Sequence, residues 1–263
     1  MARSSHVLAS HVLGQIARQS GAAISIAFVL LVWMLFSGLN IVPQAILPSP
    51  GSVWSATLEM AANGTLGRDL TVSLSRAAIG FSIGTSLGVL IGLMTGRMAL
   101  MQVLLAPALT LLRPIPAIAL VPLAIVWFGI GEGSKYFVIS YTVFLTVWFN
   151  THHGMQYVPD IYLRASRSLG VSRLREFVTV IIPAAAPYIL AGIRLGVALA
   201  FLSLVAAELS GASSGIGYRL QEARQYIRTD RMFSLLIILG ILGAVTDVIV
   251  QRIGARLVHW QQG

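Results

Sequence analysis

Cysteine is absent from all 263 residues, which excludes a disulfide framework, a thiol nucleophile and a cysteine metal site. Charge is nearly as scarce. Only 10% of residues are Asp, Glu, Lys or Arg, whereas a soluble domain carries about 25%, so this chain cannot cover a water-facing surface. Lysine occurs once, as Lys135 in GIGEGSK. No G-x-x-x-x-G-K-[ST] is present, and the chain therefore has no P-loop to cradle ATP phosphates. His152 and His153 are adjacent and would point to different sides of a helix, a poor metal pair. No nucleophile, base and orienting group are spaced to act together. These absences argue against catalysis and against a metal or cofactor held by this chain. The net charge of +9 does not indicate nucleic acid, because the arginines lie between apolar runs and no soluble domain remains to carry a groove.

What is present is apolar sequence: 56% of residues are hydrophobic and the mean hydropathy is +0.82. A spanning helix needs about 20 mainly apolar residues, and the chain offers six such stretches: Ala22 to Val42, Thr71 to Thr95, Met98 to Phe128, Ser134 to Asn150, Ala184 to Leu209 and Met232 to Val250. The expected fold is an all-α, polytopic membrane protein with six transmembrane helices. Residues 1–21 form a lead-in too polar for a signal peptide, residues 22–255 the six-helix domain, and residues 256–263 a basic tail. Val53, Trp54, Thr57 and Leu58 suit a short interfacial helix in the loop after the first span. Positive-inside counting sets nine arginines on the side of the termini against seven basic residues on the other, which places both termini in the cytoplasm.

Three features stand out within the spans. The second carries Gly80, Gly84, Gly88, Gly92 and Gly96, each four residues apart, which makes a groove without side chains where another helix backbone can approach. The third is interrupted by Pro107, Pro114, Pro116 and Pro122, and broken helices at membrane depth are tolerated where they line a cavity. Charges at that depth are costly and mark pathways or partners. Arg113, Pro114, Pro116 and Trp127 along the broken span, with Arg194 and Glu208 on the fifth, are the candidate pathway residues; Asp247 is a further buried charge. Arg194 and Glu208 share a helix face but lie about 21 Å apart along the axis, too far to pair.

The loop at 151–183 differs from the rest of the chain. DIYLRASRSLGVSRLREFVTVIIP (160–183) holds four arginines, Arg164, Arg167, Arg173 and Arg175. Ile161, Ala165 and Leu169 precede Gly170; Leu174, Phe177, Val178 and Ile181 follow it. These spacings place each set on one helical face, giving two short helices that meet at a glycine outside the lipid.

This segment resembles the cytoplasmic motif of permeases of binding-protein-dependent ABC importers, E-A-A-x-x-x-G followed nine residues on by I-x-L-P. Arg164, Ala165 and Ser166 take the E-A-A places, Gly170 the glycine, and Val180, Ile182 and Pro183 the last part. Arg164 for glutamate and Ser166 for alanine are the departures. ILPSPGSVW (46–54), LSRAAIGFSIG (74–84), LRPIPAIALVPLAIVWFGIGEGSK (112–135), GIRLGVALAFLSLVAAEL (192–209) and SGIGY (214–218) are similar to the branch of that family serving aliphatic sulfonates and taurine, with relatives for nitrate, bicarbonate and thiamine precursors. The resemblance implies a type I importer permease of the inner membrane, paired with a second permease copy in a homodimer. It also implies two cytoplasmic P-loop ATPases that bind ATP and Mg, and a periplasmic or lipid-anchored solute-binding protein. Arg164, Ala165, Ser166, Leu169, Gly170 and Pro183 would then belong to the segment that couples to the ATPase. Binding-protein selection of the solute would separate sulfonate from nitrate import, and an ion-gradient-driven secondary transporter is the rival from another class.

Overall fold

The computed structural model describes residues 21, 24–39 and 41–258, and within them every regular element is helical. The lead-in at 1–20, the ends of the first span at Ala22, Ala23 and Asn40, and the tail at 259–263 lie outside the described residues. The helices are α1 Ile24–Gly38, α2 Pro50–Ala62, α3 Thr65–Arg97, α4 Ala99–Leu112, α5 Ala117–Phe128, α6 Glu132–Gln156, α7 Asp160–Ser168, α8 Arg173–Glu176, α9 Ile182–Gly211, α10 Ile216–Gln225 and α11 Thr229–Leu257, with a π-helical turn at Phe177–Ile181. Among the described residues, three runs are long and apolar enough to cross a membrane: Thr65–Arg97, Arg173–Gly211 and Thr229–Arg256. The α4–α5 pair, bent by 106°, makes a fourth if it counts as one broken span.

Two compact units divide the chain, Met1–Glu59 with Ala223–Ser234, and Met60–Glu222 with Leu235–Gly263. In the first, Trp33 donates its indole N–H to Pro48 O at 2.9 Å and stacks on Phe233 with ring centroids 5.8 Å apart. Thr57 and Ser234 hydroxyls meet at 2.7 Å, and Glu59 pairs with Arg228 and Arg231 at the surface. The short helix expected around Val53 to Leu58 is α2.

The second unit is assembled on α6. Its residues Ile139, Val143, Val147, Thr151 and Met155, four apart, face the five glycines of α3 one for one. A Cβ placed on Gly80 would lie 2.6 Å from Ile139 Cβ, and one on Gly92 would lie 2.5 Å from Thr151 Cβ. The two backbones are thus close because glycine leaves nothing between them. A polar contact fixes the register: Trp148 Nε1 donates to Thr95 Oγ1 at 3.0 Å, and the Thr95 hydroxyl donates to Ile91 O at 2.8 Å. On its other side α6 meets α9 through Gly192, whose added Cβ would sit 2.6 Å from Asn150 Cβ. Ala77, Ile139, Val143, Val147, Ala200 and Leu204 form the shared apolar core of the three helices.

The third expected span differs from its sequence reading in one respect. Pro107 and Pro122 sit inside α4 and α5, and the chain breaks only at Arg113 to Pro116. Pro116 cannot donate to Leu112 O, the acceptor four residues back. That carbonyl accepts from the Ile115 N–H at 3.1 Å and from the Tyr141 hydroxyl of α6 at 2.7 Å. A second difference concerns the loop after α6. The helix that follows Gly170 is not free-standing but runs through α8 and the π turn into α9.

Candidate coupling segment, pathway cavity and buried ion network

α7 ends in a Schellman motif. Gly170 N–H donates to Arg167 O at 3.0 Å and Val171 N–H donates to Ser166 O at 3.1 Å. This closure needs a left-handed residue at Gly170 (φ 70°). Nothing lies within 4 Å of the place a Cβ would take, so backbone conformation, not space, calls for glycine there. Ser166 is buried; its hydroxyl lies 3.0 Å from Leu163 O and 3.1 Å from the carboxylate of Glu176. Glu176, 5% exposed, also faces Arg167 at 3.5 Å and Arg97, the last residue of α3, at 3.9 Å. The π turn closes with Ile182 N–H donating to Phe177 O, just ahead of Pro183. A cavity of about 720 Å³ brings together Ala165, Ser166, Leu169, Val180 and Pro183. Arg164 and Gly170 complete the motif on the exposed side.

The broken span opens a cavity of about 520 Å³ lined by Arg113, Pro116, Tyr141, Thr142, Thr146 and Ser203 among others. The Arg113 guanidinium stacks on Phe149, 3.4 Å from the ring centroid. Stacking leaves its N–H edge available, and no carboxylate lies within ion-pairing distance among the described residues. The first turn of α5, Ala117 and Ile118, adds the positive end of a helix dipole to the same cavity. The arrangement suits a small anion with a short apolar body.

The remaining pathway candidates lie elsewhere. Pro114 is at the break but does not line the cavity, and Trp127 is exposed and meets Phe137 edge-on. Arg194 pairs with Asp247 on α11 at 3.1 Å. Glu208 is 1% exposed and wholly engaged by protein, which takes it off the cavity wall. It accepts from Ser73 Oγ at 2.8 Å, Arg76 Nη1 at 2.8 Å and Gly217 N–H at 2.8 Å. Arg76 also forks onto Glu132 with both distances 2.6 Å and donates to Ser214 O at 2.6 Å. Alongside, Asp69 accepts from Gly215 N–H at 2.9 Å and from Arg219 at 2.8 Å. Burial alone would lower the Arg219 pKa, but its bonds to Asp69 and Glu222 outweigh that and raise it, so it stays charged. The network ties the 214–219 stretch to α3, α6 and α9.

Sequence reasoning missed Arg76, Asp69, Glu132 and Glu176. Arg76 read as an outer-segment charge, yet it is 2% exposed. A signal was present: LSRAAIGFSIG, GIGEGSK, SLVAAEL and SGIGY, four of the stretches that carry the family resemblance, hold Arg76, Glu132, Glu208 and Gly215 to Gly217.

Helices throughout the described residues, with membrane-crossing runs and a broken span, define a multi-pass membrane protein. Residues 84–259 match the family described as "Binding-protein-dependent transport system inner membrane component". The chain is 37% identical over 235 residues to the putative aliphatic sulfonates transport permease protein SsuC of Bacillus subtilis, covering 89% of this chain and 85% of that one. It is 39% identical over 229 residues to the Escherichia coli protein of the same description, with 87% of each chain covered. The taurine transport system permease protein TauC of Escherichia coli is 32% identical over 241 residues, 90% of this chain and 88% of that one. In fold it is similar to an amino acid ABC transporter chain, with a TM-score of 0.59, 17% identity, and 77% and 96% of the two chains covered. The chain belongs to the binding-protein-dependent transport system inner membrane component family, and the relatives named here are described as transport permease proteins.

Proposed function

We propose that the chain is the permease subunit of an ATP-driven importer that moves a small organic anion, an aliphatic sulfonate such as taurine, into the cytoplasm. The observation that carries the reading is the rigid helix–glycine–helix joint at Ser166 to Glu176, which supplies a docking element for a separate ATPase in a chain with no P-loop of its own. Its spans are α1, α3, the α4–α5 pair, α6, α9 and α11, with both termini cytoplasmic. Arg76 and Lys135 are both buried, which leaves five of the seven outer basic residues against nine on the inner side and supports this orientation. Two copies face each other, two P-loop ATPases bind ATP and Mg, and a binding protein delivers the solute. The Arg113 cavity and the sulfonate and taurine names of the relatives support the substrate class.

The test is uptake in proteoliposomes containing the chain, its ATPase and its binding protein. Taurine or an alkanesulfonate should enter only with ATP. Uptake by the chain alone on an ion gradient would overturn the importer reading, and a binding protein indifferent to sulfonates would overturn the substrate. In the same assay Gly170→Leu should lower uptake by about 5–30-fold, because an L-residue in the left-handed region costs roughly 1–2 kcal/mol and strains the joint. Gly170→Asn, which tolerates that region, should retain much of it; equal loss in both variants would refute the backbone argument. Arg113→Ala should cost roughly 10–100-fold in sulfonate uptake, the worth of one charge-assisted hydrogen bond, with ATPase capture unchanged. Normal uptake would remove Arg113 from the pathway.

A further inference from the structure

The two acids of the coupling segment and its four arginines are distributed unequally. Glu176 is turned inward, its carboxylate shared by Ser166, Arg167 and Arg97. Arg164, Arg173 and Arg175 are exposed and make no ion pair among the described residues. Asp160 stands one turn before Arg164, the spacing at which a helix normally pairs opposite charges, yet it lies outside ion-pairing distance. The segment keeps its buried carboxylate for internal bracing and presents cations outward.

Large apolar side chains beside those cations are exposed: Leu169 81%, Leu174 76% and Ile161 66%. Large exposed apolar side chains beside unpaired arginines mark an interaction surface, not a solvated loop. The Schellman turn at Gly170 and the Ser166–Glu176 bond hold α7 and α8 at one angle, so little ordering entropy is lost when a partner arrives. The same turn splits the apolar stripe into two short pieces, which disfavours a helix lying flat on anionic lipid.

We infer that the α7–α8 face selects a partner surface whose apolar groove is edged by carboxylates, with Arg164 and Arg175 as the selecting residues. The inference rests on the importer reading, in which that partner is the ATPase, and adds its chemistry. Arg164 stands where the motif this segment resembles has glutamate, so the segment presents a cation at that place. An ATPase with a basic groove edge would be rejected by like charge, which makes the face a discriminator among ATPases in one cell.

The test is capture of the co-expressed ATPase by the full chain in nanodiscs of neutral phosphatidylcholine. Wild-type capture should weaken steadily as NaCl rises from about 0.05 to 0.5 M, because exposed charges are screened. Arg164→Glu/Arg175→Glu should weaken it at least about tenfold, or 1.4 kcal/mol, while Arg164→Lys/Arg175→Lys stays close to wild type. Reversing a carboxylate at the ATPase groove edge to lysine should restore capture by the doubly reversed chain. Capture by that chain within about twofold of wild type, or salt-insensitive wild-type capture, would overturn the inference. So would a loss seen only in nanodiscs containing phosphatidylglycerol, which would assign the arginines to lipid. Wild-type protein that captures no ATPase at any salt would instead refute the importer reading beneath it.

Discussion

Glu208→Ala should be the most destabilising single change outside the glycine seam, at about 3–5 kcal/mol, the usual cost of stripping one partner from a buried ion pair. The side chain of Glu208 is fully buried and that of Arg76 is 3% exposed, so neither charge can turn to water when the other is lost. Alanine would leave Arg76 with Glu132 as its one carboxylate, beside Ser214 O, and would orphan the Gly217 N–H and the Ser73 O–H donor at once. Each orphaned buried group adds about 1–3 kcal/mol. The 214–219 stretch would lose its tie to α9. Denaturation midpoints of the purified protein in detergent read the effect directly. Arg76→Met/Glu208→Leu should recover part of the loss, because an apolar pair of similar volume removes both unpaired charges together. A midpoint unchanged in Glu208→Ala would show that the network adds nothing to stability.

The same residues show where sequence reasoning reaches its limit. Periodicity is local, so the glycine row of α3, the helix–glycine–helix joint at Gly170 and the interruption of the third span are all legible in residue spacing alone. A long-range partner leaves no such trace. The α6 row from Ile139 to Met155 reads like any apolar helix face, and only its contact with the glycines makes it special. Four prolines along the third span carry equal weight in sequence, yet Pro107 and Pro122 are absorbed within helices. The break falls where two prolines lie two residues apart and where a hydroxyl from another helix, Tyr141, also reaches Leu112 O. Arg194 and Glu208 could be assigned to one face of one helix but not to their partners Asp247 and Arg76, which lie on other helices. Glu176 was hidden for a related reason. Between Arg175 and Phe177 it looks like one more exposed charge, and only the fold shows that Ser166, the motif's departure from alanine, is there to meet it.

Gly92→Leu should prevent recovery of folded protein altogether. Lipid supplies no hydrophobic force between helices, so close contact and hydrogen bonding must hold α3 against α6. At Gly92 even a methyl group meets Thr151 Cβ at 2.5 Å, Thr151 Cγ2 at 2.7 Å and Trp148 O at 3.1 Å. Leucine adds three further carbons with nowhere to go, and the helices would have to separate along the whole seam. The resulting penalty exceeds the roughly 4–5 kcal/mol reached only by severe core lesions. Gly92→Ala should cost less but still about 1–3 kcal/mol, as overpacking does. The decisive variant is the exchange Gly92→Ala/Thr151→Gly. It moves the methyl from one helix to the other and removes the two closest atoms. The Thr151 hydroxyl has no hydrogen-bond partner, so its loss leaves nothing unsatisfied. The exchange should regain most of the stability lost in Gly92→Ala, less about 1 kcal/mol for glycine inside α6. Gly240→Ala on α11, where nothing lies within 4 Å of the added carbon, should be neutral or slightly stabilising. Yields by size-exclusion chromatography and denaturation midpoints rank the four variants. An exchange no more stable than Gly92→Ala would show that the fit between Gly92 and Thr151 is not what joins α3 to α6, because the two closest contacts at that point would have been relieved without benefit.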